Sequence, residues 1–130
     1  MGRISVQTSE ETYIGLIDEG QYIGRCETMV EVNKKDGTGT QLETHFKVQW
    51  NDKDVSLVRF TPLMGPGVGF TREVLDGLGV KYEEGKDARG NTYLEFDSDD
   101  CLNKECMIDV THQSYNGQIR NSVGKITRLR

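Results

Sequence analysis

The chain has 130 residues and a mass of 14.7 kDa, enough for a single core that buries roughly two-thirds of the unfolded surface. Sixteen Lys plus Arg against 21 Asp plus Glu give a net charge of -5, which excludes a histone-like, uniformly basic nucleic-acid binder but permits a local basic groove. No apolar stretch approaches the roughly 20 residues of a membrane-spanning helix, so a soluble, cytoplasmic protein without membrane partners is expected.

Residues 1–19 are mixed and polar around Leu16-Ile17 and read as an arm, leaving 20–130 as the domain. Met1-Gly2 would suit myristoylation, but the sixth position is Val6 rather than Ser or Thr. From Gln21 to Asn33, Tyr22, Cys26, Val30 and Val32 share one parity and Arg25, Glu27 and Glu31 the other, the period of a strand with one buried face. Turn residues fill Lys34 to Thr40. Gln41 to Trp50 alternates again, with Leu42, Thr44, Phe46, Val48 and Trp50 opposed to Glu43, His45, Lys47 and Gln49. After Asn51-Asp52-Lys53 a third strand runs from Asp54 to Thr61, completing a meander.

Pro62 to Gly69 interrupts the sheet, and Phe70, Val74, Leu75 and Leu78 then recur at helical spacing up to a stop at Gly79. Gly65-Pro66-Gly67-Val68-Gly69 lacks the Lys-Ser/Thr of a phosphate-binding loop, so its glycines are assigned to the turn and helix entry. Residues 81–105 carry eight carboxylates against four cations and are expected to face away from any anionic ligand. Lys104 to Gln113 is a fourth sheet strand, Asn116-Gly117 a strong hairpin signal, and Gln118 to Leu129 the fifth strand. In that last strand Ile126 breaks the parity of Ile119 and Val123, and Gly124 between them marks a bulge. Cys26, Cys101 and Cys106 form neither a disulfide framework nor, with His45 and His112, a zinc-ligand spacing, and are expected as incidental thiols.

Five strands with one short helix between the third and fourth make a mainly β chain with the layout of an OB-fold barrel. Gly20-Gln21-Tyr22-Ile23, Lys35-Asp36-Gly37-Thr38 ahead of Leu42 to Val48, and Tyr115-Asn116-Gly117 ahead of Arg120-Asn121-Ser122-Val123 resemble phage-encoded single-stranded DNA-binding proteins over about residues 20 to 128. The resemblance implies a non-enzymatic protein without a cofactor. It would coat single-stranded DNA without strict sequence preference during phage replication or recombination in an infected bacterial host. Replication or recombination proteins are its implied partners, and homo-oligomers are compatible with it. Many such proteins end in an acidic recruiting tail, whereas this sequence ends Lys125-Ile126-Thr127-Arg128-Leu129-Arg130.

Single-strand binding needs cations along the phosphates and aromatic faces under the bases. Arg120, Lys125 and Arg128 lie in a final strand without carboxylates, and Arg25, Lys34, Lys35, Lys47 and Arg59 are placed to extend that stripe. His45 shares the outer face of its strand with Lys47. Tyr115, at the hairpin tip, is the first candidate for stacking. Trp50 and Phe60 are further stacking candidates whose parity favours the core. Two alternatives stand beside this reading: an interaction or assembly domain that pairs its exposed strands with a partner, and a metal-dependent nuclease using Asp97, Asp99 and Asp100.

Overall fold

The computed structural model describes residues 15–129, with the backbone but not the side chain of Tyr115. Residues 1–14 of the expected arm therefore lie outside the described residues. Five strands build one antiparallel sheet: β1 (Gly20–Asn33), β2 (Thr40–Trp50), β3 (Lys53–Pro62), β6 (Glu105–Tyr115) and β7 (Gln118–Arg128). Between β3 and β6 come a helix, α1 (Val68–Leu78), a small hairpin, β4 (Glu83–Lys86) and β5 (Thr92–Glu95), and a 3-10 turn, Ser98–Cys101.

The spatial order is β3-β2-β1-β6-β7. Three hairpin-connected strands followed by a fourth that returns over a long connection to lie beside the first is a Greek key. The expected barrel is not closed: among the described residues no ladder joins β3 to β7. The helix does follow β3, but the β4-β5 hairpin and the 3-10 turn stand between it and the next strand of the large sheet. Glu83 to Lys86 and Thr92 to Glu95 are too short and too polar to show a period. The available signal was the turn Asp87-Ala88-Arg89-Gly90, in which Asp87 accepts from the Arg89 and Asn91 amides and Gly90 has φ 84.

Register decides which parity is buried. In β2, Leu42, Thr44, Phe46 and Val48 face inward as expected, and in β3 their partners put Val55, Leu57, Arg59 and Thr61 on the same side. Phe60 is therefore on the outer face, 50% exposed, and not in the core its sequence context favoured. In β1 a bulge between Cys26 and Thr28 inserts Glu27, so Met29 turns inward and Val30, expected inside, is 49% exposed. The bulge anticipated at Gly124 is present, with Gly124 and Lys125 together opposing Asp109.

The core lies between the inner face of the sheet and α1, whose Val74, Leu75 and Leu78 pack with Phe46, Val55 and Ile108. Gly77 lets the helix approach β7 closely, since a Cβ there would sit 2.5 Å from Ile126 Cγ2. Gly79, in the left-handed region at φ 74, ends the helix while the Val80 amide returns to the Leu75 carbonyl. Ile17 is buried too, and its segment is tied to the middle of the β6-β7 hairpin by the Ile17 amide donating to Asn121 Oδ1 and by the His112 amide donating to Glu19.

Candidate nucleic-acid interface

The outer face of the sheet gathers part of the expected site. Cross-strand pairing aligns Phe60 with Glu43 and Val30, Val58 with His45 and Thr28, Lys47 with Arg25, and Ile23 with Met107. Ile23, Val30, Val58 and Phe60 are all large apolar side chains left exposed there. A shallow depression of about 660 Å³ at one end is lined by Ile23, Arg25, Lys47, Gln49 and Met107 among others. Sequence reasoning missed Ile23, Val58 and Met107, which alternation alone does not single out.

Arg25, Lys47 and the His45 imidazole are partnered by carboxylates of the same face. Arg25 Nε donates to Glu27 Oε2 at 2.7 Å, Lys47 Nζ lies 3.5 Å from Glu27 Oε1 and 3.7 Å from Asp54 Oδ2, and His45 pairs with Glu43. Glu105, one of the carboxylates expected to face away, pairs across the ladder with Arg25. The other acidic residues of the 81–105 stretch lie outside the five-stranded sheet, on and around the β4-β5 hairpin and the 3-10 turn.

Arg59 departs most from expectation. Its side chain is 13% exposed and points inward; Nη1 donates to the Gly124 carbonyl and, at 3.2 Å, to the Val123 carbonyl, while Nη2 meets Glu73 Oε1 at 3.1 Å. Glu73 Oε2 in turn accepts the Ile126 amide at 3.0 Å. Arg59 and Glu73 thus span the seam between β3 and β7, where backbone pairing is missing, and are structural. The guanidinium also lies 5.9 Å from the Phe70 ring centroid.

The remaining candidates are dispersed. Lys34 and Lys35 sit in the β1-β2 turn, Arg120 near the β6-β7 tip with a hydrogen bond to Gln118, and Lys125 at the β7 bulge. Arg128 pairs with Cys106 and its guanidinium lies against Gly79 at the C-terminal end of α1, away from the outer face, where a cation suits the helix dipole. Trp50 packs against the core edge. The Tyr115 ring lies outside the described residues.

Asp97 accepts from the Asp99 amide and caps the 3-10 turn, a structural use of the acidic cluster. Among the described residues no group of three or more His, Cys, Asp or Glu is arranged to hold a metal ion, and no helix is long and apolar enough to cross a membrane. The three thiols are free and buried; burial first of all pushes Cys26 and Cys106 up to about 12 and Cys101 up to about 11. No protein-family model matches the chain, and no curated protein matches it.

Proposed function

We propose that the protein binds single-stranded DNA, without strict sequence preference and without catalysis, on the outer face of an OB-like Greek-key sheet. Phage replication or recombination is the setting in which such a coat would act. The observation that carries this reading is Phe60, a half-exposed ring on a flat strand surface, flanked by His45 and Val58 and within the same face as Arg25 and Lys47. Such a ring stacks on any base, which supplies affinity without sequence reading. Five strands in Greek-key order, with β3 and β7 brought close at the open seam, support the OB-like description.

The test is a titration of intrinsic Trp50 and tyrosine fluorescence with oligo-dT of increasing length at two salt concentrations. Saturable binding that weakens with salt is expected; no response at low salt overturns the proposal. A second reading, a protein-interaction face, is favoured by the ion pairs that already engage Arg25 and Lys47. Self-association or retention of a partner with no response to oligo-dT would establish it.

A further inference from the structure

Glu27 is the extra residue of the β1 bulge, where the ladder with β2 steps from Cys26 to Thr28. A bulge re-aims the side chain it carries. Here a carboxylate is set between two cations of the outer face, with Oε2 on Arg25 and Oε1 toward Lys47. Two oxygens engaging two separate cations is the arrangement that the two free oxygens of a phosphodiester would adopt in the same place. The hydrogen bond from Arg25, with the Lys47 charge added to it, holds the Glu27 carboxyl below its usual range and keeps it ionised. Arg25 and Glu27 side chains are 46% and 31% exposed, so water reaches the pair and an incoming anion can exchange with it.

We infer that Glu27 occupies the phosphate position of the outer face as an internal competitor, setting how strongly the face holds a single strand and how steeply that hold depends on salt. The inference rests on the single-strand reading above. A phosphodiester that enters takes over Arg25 and Lys47 while the carboxylate swings aside. Lys47 keeps Asp54 at 3.7 Å, and Asp54 and Glu105 still attract Arg25, so loss of Glu27 frees both cations in part.

Glu27→Gln keeps the shape and removes the charge. Single-strand affinity falls with a log-log salt slope of about 0.7 per phosphate neutralised, so between about 50 and 200 mM salt one freed cation adds a factor of about 2.6 and two add about 7. The variant should bind oligo-dT more tightly than wild type at the lower salt and lose an extra factor of that size by the higher. Lys47→Ala should flatten the slope in both backgrounds, and more in the Glu27→Gln background, where the carboxylate no longer holds the cation; a double-mutant cycle isolates that difference. Glu27→Thr, also uncharged, repeats the test if Gln impairs folding. An uncharged variant that folds and binds with wild-type affinity and slope overturns the inference and leaves the single-strand reading standing. Failure of both wild type and variants to bind at low salt overturns both.

Discussion

Arg59→Met removes the guanidinium while keeping most of the aliphatic stem. The lost contacts are the donations to the Val123 and Gly124 carbonyls and the ion pair with Glu73, from a side chain 13% exposed. Breaking one side of a fully buried pair costs roughly 3 to 5 kcal/mol. Glu73 is 29% exposed and keeps the Ile126 amide, so solvent screening reduces the expectation to about 2 to 3 kcal/mol. A chain of this size shifts its melting temperature by about 3 to 5 °C per kcal/mol, which predicts a fall of about 6 to 15 °C. Circular-dichroism melts paired with urea unfolding measure it. Arg59→Lys should recover less than half, because a point-charge ammonium does not fork to β7 and Glu73 together. A variant within about 0.5 kcal/mol of wild type would refute the seam role. Oligo-dT affinity per folded molecule should stay unchanged, since the group faces away from the outer face; lost binding with normal melting would return Arg59 to the phosphate contacts.

Phe60→Ala should lower stability by about 1 kcal/mol or less and weaken oligo-dT binding by about 1 to 3 kcal/mol; unchanged binding would remove the stacking platform. Gly77→Ala adds about 1 kcal/mol of helix propensity but sets a Cβ against Ile126, and overpacking of about 1 to 3 kcal/mol should prevail, so a higher urea midpoint would show slack between α1 and β7. The buried thiols bear on alkaline stability. Their folded pKa values, about 12, 11 and 12 for Cys26, Cys101 and Cys106, lie above the unfolded value of about 8.5. The unfolded chain therefore releases its thiol protons first. This contribution is complete below about pH 8.5 and declines as pH rises through the folded values, by up to about 1.4 kcal/mol per pH unit per thiol. Cys26→Ala should make the fall in urea midpoint between about pH 8 and 10 shallower than in wild type, and an identical fall would acquit that thiol.

Alternation of period two, the Asn116-Gly117 turn and the Leu75, Leu78, Gly79 stop are local signals. They sufficed for the meander, the helix and the last hairpin, because each depends on residues within a few positions of one another. The Gly124 bulge was legible for the same reason: Val123 and Ile126, both apolar, break parity around a glycine. Alternation divides a strand into two faces without saying which one meets the core. For β3 the pairing of Leu57 with Phe46 and Val55 with Val48 settled it, which turned Arg59 inward and Phe60 outward against the ordinary preference of both side chains. What made Arg59 acceptable inside was Glu73 on α1 and two carbonyls of β7, partners 14 to 65 residues away. Glu27 illustrates the same division. Its charge and its place in β1 were plain from the sequence, but its placement between Arg25 and Lys47 follows from a one-residue slip in the β1-β2 ladder, and only the paired strand shows that slip.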